Sequence, residues 1–167
     1  MSKEGNEKFK PRTLVVYYSK TGNTRKVAQD IAQKLEADLE EITDMKSRKG
    51  VLGFIMGGRD AMTKKGTRIS VTSKDPAEYD LVILGSPIWA NNIAPALRTY
   101  LNKKGEKIAT RAFFVTAGGG PSSKVLQNIS EISTKEPLAI LGLPQKELAQ
   151  QEIYEQKMNT FIEKIKK

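Results

Sequence analysis

From Ser19 to Thr24 the chain reads Ser-Lys-Thr-Gly-Asn-Thr, with hydroxyl or amide side chains at Ser19, Thr21, Asn23 and Thr24 and with Lys20 and Gly22 between them. Such side chains are neutral hydrogen-bond donors, and Gly22 lets the backbone curl without a Cβ penalty. An apolar run, Leu14 to Tyr18, comes before, and a helical pattern at Val27, Ala28, Ile31 and Leu35 comes after. The first-turn amides of a helix have no internal partner, and its dipole favours negative charge. Strand, loop and helix start therefore form an anion cradle. The plain alternative is a βα turn in which Asn23 or Thr24 caps the helix. The density of donors favours a phosphomonoester held by neutral groups, with Lys20 facing either the ligand or solvent. The loop carries neither Gly-x4-Gly-Lys-Ser/Thr nor Gly-x-Gly-x-x-Gly.

Two further stretches have chemical potential. Trp89 is the only tryptophan and lies in Ser86-Pro87-Ile88-Trp89-Ala90-Asn91-Asn92, directly after the apolar run Asp80–Gly85. Its ring suits either a lid over a helix end or a plate for a planar ligand. Ala117-Gly118-Gly119-Gly120-Pro121 follows Ala112–Thr116. That glycine run either lets a flat ligand approach the main chain or forms a mobile turn. The chain contains no cysteine and no histidine. Thiolate chemistry, disulfides and the usual general base are thereby excluded. No residue is assigned as catalytic and none as a metal ligand.

The elements that must position these loops alternate. Strands are expected at Leu14–Tyr18, Leu39–Ile42 (short and acidic at its centre), Asp80–Gly85, Ala112–Thr116 and Pro137–Leu143. Helices are expected from the first loop to about Ala37, from Ala94 with Ala96, Leu97, Tyr100 and Leu101 inward, and after a Ser122 or Ser123 cap with Val125, Leu126 and Ile129 inward. A closing helix spans Glu147–Lys166, with Leu148, Ile153, Met158, Phe161, Ile162 and Ile165 available for its buried side. Apolar strands alternating with helices predict an α/β fold, a parallel sheet covered on both faces. The loops after the first, third and fourth strands then share the carboxyl edge, where ligands bind in such sheets.

At 167 residues the expectation is one domain over 13–167 behind a flexible polar leader, 1–12. That leader lacks the apolar core of a signal peptide, and no apolar run approaches the roughly 20 residues that span a bilayer. A cytoplasmic protein without membrane insertion is expected. The net charge of +9 points to acidic partners. Between Met45 and Asp75 eight basic residues face two acidic ones, so +6 of that charge is concentrated there. Val51, Leu52, Phe54, Ile55, Met56, Ala61 and Met62 suit one face of a helix that Gly53, Gly57 and Gly58 weaken. This segment reads either as a crossover helix with solvated lysines or as a basic docking surface. No basic-aromatic alternation accompanies the charge, so neither DNA nor RNA is expected.

Ser19-x-Thr21-Gly22-Asn23-Thr24 after an apolar strand resembles the FMN-phosphate loop of flavodoxins, and residues 79–101 are similar to the family's second flavin-binding segment. The resemblance runs from about Thr13 to the end. It implies a three-layer, doubly wound, five-stranded parallel sheet in the order 2-1-3-4-5 with one non-covalent FMN. By position, Ser19, Lys20, Thr21, Gly22, Asn23 and Thr24 would surround the phosphate. Ser86, Pro87, Ile88, Trp89, Ala90, Asn91, Asn92 and Ile93 would contact the isoalloxazine, and Ala117, Gly118, Gly119 and Gly120 its pyrimidine side. The implied role is electron transfer between redox partner proteins, with oligomeric state open. An FMN-dependent NAD(P)H or quinone reductase and a flavin-free module with a basic docking face are the alternatives. The chain departs from the family in its glycine third loop, its pI near 9.6 and the length of segment 45–75.

Overall fold

The computed structural model describes residues 10–46 and 50–167. The first nine residues of the expected leader, and Arg48 and Lys49 of the basic segment, lie outside the described residues, as do the side chains of Val51 and Phe54. Strands β1 (Thr13–Tyr17), β2 (Asp38–Glu41), β3 (Leu81–Trp89), β5 (Arg111–Ala117) and β6 (Ile140–Pro144) form a parallel sheet in the order β2-β1-β3-β5-β6. Strand β4 (Asn92–Ile93) pairs antiparallel with the end of β3. Apart from this extra strand, the order is the one the resemblance implies.

Every residue of β1 is buried, and its side chains alternate between two cores. Leu14 and Val16 pack with Leu97 and Tyr100 of α3 (Pro95–Lys104) and with Val125 and Ile129 of α4 (Ser123–Ser133). Val15 and Tyr17 pack with Val27 and Ile31 of α1 (Asn23–Leu35) and with Tyr154, Met158 and Phe161 of α6 (Gln151–Ile165). A strand whose two faces are both covered must read as a continuous apolar run, and β1 does. Arg111 is buried at the amino end of β5, donating to the carbonyls of Gly105, Ile108 and Ser133. Its cation thus ties the carboxyl-terminal ends of α3 and α4 together, where helix dipoles favour positive charge.

Several expectations shift. β3 does not break at Gly85 but continues through Ser86, Pro87 and Ile88 to Trp89. Pro87 is tolerated because β1 ends opposite Gly85, so the edge that Pro87 shares with Gly85 needs no N–H donor. The last strand starts at Ile140, leaving Leu138 exposed. The closing helix divides into α5 (Gln145–Leu148) and α6; Tyr154 rather than Ile153 faces the core, its hydroxyl 2.6 Å from Asp30 Oδ2. In α4, Leu126 is exposed while Val125 and Ile129 are buried. The basic segment folds as α2 (Gly50–Met62) and a return strip. In that strip Met45 N donates to Arg68 O and Ser70 N to Thr43 O. Glu40, the acidic centre of β2, fixes its far end: the carboxylate accepts from Ser73 N at 2.7 Å and Lys74 N at 2.9 Å.

Candidate functional site

At the carboxyl edge of the sheet, the chain leaves β1 and turns into α1 through Gly22, whose φ of +99° only glycine adopts without strain. Neither Asn23 nor Thr24 caps the helix. Ser19 Oγ does that work from outside, accepting from Gly22 N and Arg25 N at 3.2 Å each. Thr24 is buried, and its hydroxyl lies 2.8 Å from that of Thr116 at the end of β5. Arg25 turns its guanidinium away to Glu41, at 2.6 and 3.2 Å. That carboxylate raises the Arg25 pKa. Tyr17 donates to the same carboxylate, and burial first and Glu41 second raise its phenol. The helix start thus offers backbone amides and neutral side chains, with Arg25 already ion-paired.

The β3–β4 hairpin forms a second wall. Its two turn residues, Ala90 and Asn91, both have positive φ, 47° and 61°, as a two-residue hairpin of matching twist requires. Ser86 Oγ closes the base, donating to Pro87 O and accepting from Ala94 N, both at 2.8 Å. Asn128 Nδ2 on α4 donates to Asn91 O at 3.0 Å and holds the tip. Behind the hairpin, Asn92 is buried and its Oδ1 lies 3.5 Å from a guanidinium nitrogen of the buried Arg98. Trp89 is half-buried, edge-on to Tyr18 with ring centroids 5.8 Å apart, and Lys20 Nζ lies 5.7 Å from its ring centroid. At Gly85, below the hairpin, a Cβ would fall 2.0 Å from the Phe114 ring, so only glycine fits.

Between these walls lies a cleft of about 550 Å³, inside the roughly 300–1,000 Å³ usual for small-molecule sites. Of the expected site residues, Thr21, Asn23, Pro87, Ile88, Trp89, Ala90, Ala117 and Gly118 line it. Ser19 and Gly22 shape the first loop, while Ser86, Asn91, Asn92 and Ile93 build the hairpin rather than the lining. Gly119 and Gly120 stand beyond Gly118 in the third loop. Three further residues line it without being singled out by motif: Gly58 of α2, Thr116 and Gln145. Thr116 is the polar end of an apolar strand, and Gln145 follows β6 on the same carboxyl edge, so topology alone points to both. Gly58 has no sequence signal, because only the packed position of α2 brings it there.

Hollows of similar volume lie along β6 and α6 (about 530 Å³) and at the amino end of the sheet (about 590 Å³). Position, not size, marks the cleft: it alone of these three combines a helix start, an aromatic wall and an open glycine wall. A Cβ placed on Gly58, Gly118 or Gly119 would meet nothing within 4 Å.

A family model described as flavodoxin matches residues 12–165. The chain belongs to the flavodoxin family. Its fold is similar to that of a flavoprotein from Lactobacillus acidophilus solved in complex with FMN, at TM-score 0.69 and 22% identity, covering 78% of this chain and 91% of that one. A Fusobacterium nucleatum flavodoxin bound to flavin mononucleotide matches at TM-score 0.58 and 13% identity, covering 93% and 97%. Oxidised flavodoxin 2 from Bacillus cereus matches at TM-score 0.53 and 20% identity, covering 93% and 98%. Flavodoxin membership accounts for the strand order. No helix among the described residues is long and apolar enough to cross a membrane.

Proposed function

We propose that this flavodoxin-family protein binds one FMN in the Trp89 cleft and carries electrons between redox partner proteins that present acidic surfaces. The carrying observation is the cleft itself, where an amide-rich helix start, a planar aromatic wall and an open glycine wall converge. The donor set fits the group: Thr21 and Asn23 line the cleft beside the α1 start, where a phosphate would be met by neutral donors and the helix dipole. Ile88 and Trp89 offer apolar surface for a flat ring, and Gly118 leaves space for its edge. FMN, when bound, supplies the electron-accepting ring.

The residues of the chain hold and shield that ring. Ser19 keeps the first loop curled, Thr24 and Thr116 tie it to β5, and Ser86 fixes the hairpin that carries Trp89. All eleven lining residues are neutral. Such a lining suits a carrier, which moves electrons without handling a substrate's protons through protein acids or bases. The basic surface suits acidic partners and steers them at low salt. We place the protein in the cytoplasm.

Anaerobic mixing of the FMN-loaded protein with NADH or NADPH tests this reading. The expected result is no rapid change in the flavin absorbance until a separate reductase is added. Stoichiometric bleaching by the nicotinamide alone would defeat the carrier role and favour a reductase.

A further inference from the structure

Helix α2 carries apolar side chains on its outer side. Gly53, Gly57, Asp60 and Ala61 face inward and are buried, whereas Leu52, Ile55 and Met62 are 70%, 59% and 63% exposed. At about 100° per residue, positions 52, 55, 59 and 62 fall within roughly a quarter turn of one another, so Arg59 lies among these three apolar side chains. The inner positions cluster on the opposite side, and their small size lets α2 pack closely over the β3–β4 hairpin and α3. A helix built only to cover the sheet would turn its large apolar side chains inward. Among the described side chains of α2, Leu52, Ile55 and Met62 instead form a contiguous outward stripe, which marks an interaction surface.

Three observations choose the occupant. Lys64, Lys65 and Arg68 follow the stripe in a segment of charge +6, so a complementary surface carries carboxylates around an apolar centre. A second copy of the chain would set Arg59 and the same basic residues against their like. Gly58, next to Arg59 in the chain, lines the cleft. An object seated on the stripe therefore stands beside the cleft, an arrangement that serves electron transfer and has no use in attachment to a lipid surface. We propose that the outer stripe of α2, formed by Leu52, Ile55, Arg59 and Met62, is the seat of the redox partner, a protein with an apolar patch rimmed by carboxylates. This deepens the carrier reading and rests on it.

The probe is a reduced plant-type [2Fe–2S] ferredoxin, used as an acidic one-electron donor and mixed anaerobically with FMN-loaded protein in a stopped-flow instrument. One electron leaves the reduced cluster, which is oxidised, and enters the bound FMN. The second-order rate should fall about tenfold on raising salt, as expected for steered association. It should also fall about tenfold in Leu52→Ser/Ile55→Ser/Met62→Ser and, independently, in Arg59→Glu. FMN affinity and the rate of reduction by dithionite should match the wild type in both variants. Wild-type ferredoxin rates in both variants would overturn the proposal. Failure to bind FMN at all would instead remove the carrier reading. Fluorescence anisotropy of dye-labelled ferredoxin against the apoprotein then decides the docking face: weaker binding to both variants keeps it, and equal binding rejects it. Sedimentation with phosphatidylglycerol vesicles through the stripe, without any effect on ferredoxin transfer, would reassign the face to membranes and overturn the proposal. So would a wild-type dimer that the variants dissociate.

Discussion

Side chains hold the Trp89 wall of the cleft at several points: Ser86 at its base, Asn128 at its tip and Asn92 behind it. The Gly118 wall is the reverse case, for Gly118 and Gly119 have no side chains and open space where a Cβ would stand. One wall is thus preset before a ligand arrives, and the other is able to conform to it. In a site for a planar group this division is useful. A rigid plate fixes orientation, while an open main-chain edge lets the ring settle against it.

Glycine substitutions test the contrast most severely. Gly85→Ala places a methyl into the Phe114 ring at the base of the hairpin and should lower unfolding free energy by about 3 kcal/mol. Gly119→Ala should change it by no more than about 0.5 kcal/mol. Similar losses from chemical denaturation of the two variants would erase the distinction between the walls.

Ser86→Ala is next in size. It leaves the buried Ala94 N–H without its acceptor, a loss of about 2 kcal/mol, and should weaken FMN binding as well by loosening the hairpin. Unchanged affinity in a destabilised protein would show that the hairpin need not be preset. Thr24→Ala should cost about 1 kcal/mol of stability, because it orphans the buried Thr116 hydroxyl. Thr21→Ala should leave stability alone and act on the ligand. Equal denaturation curves for these two threonine variants would contradict the buried tie to β5.

Trp89 fluorescence reads the rigid wall directly. As the only tryptophan, its emission should be strongly quenched when FMN is added, and unchanged emission at saturating flavin would make it a structural lid. A separate effect lies just before β3, far from both walls in the chain. There Tyr79 donates to Asp38 Oδ2 at 2.7 Å, and burial first and Asp38 second push its pKa up to about 12. A phenol held neutral in the fold contributes stability below its unfolded pKa of about 10 and loses it as pH rises toward 12. Stability should therefore decline across that window, and Tyr79→Phe should lessen the decline in denaturation curves measured at stepped pH.

The parallel sheet was legible because its central strands are apolar on both faces, which leaves no ambiguity of pattern between Leu14 and Tyr17 or between Leu81 and Leu84. The cleft was legible in outline because three polar loops follow strands on one edge. What escaped was set by tertiary context. Ser86-Pro87 reads as a strand breaker, and only the early end of β1 makes proline harmless there. Thr24 reads as a phosphate donor beside Thr21, and nothing local shows that its hydroxyl also meets that of Thr116, 92 residues away in sequence. The glycines of α2 read as weak points in a helix, whereas two of them form its inner packing face.

In the proposed reading, the Trp89 cleft recognises a flavin through its phosphate. Paired calorimetric titrations of the apoprotein with FMN and with riboflavin, on wild type and Thr21→Ala, test it most directly. One FMN per chain is expected, with much weaker riboflavin binding and a loss of about 1.5–3 kcal/mol in Thr21→Ala for FMN alone. Equal affinities for the two flavins, or equal losses for both in Thr21→Ala, would contradict it.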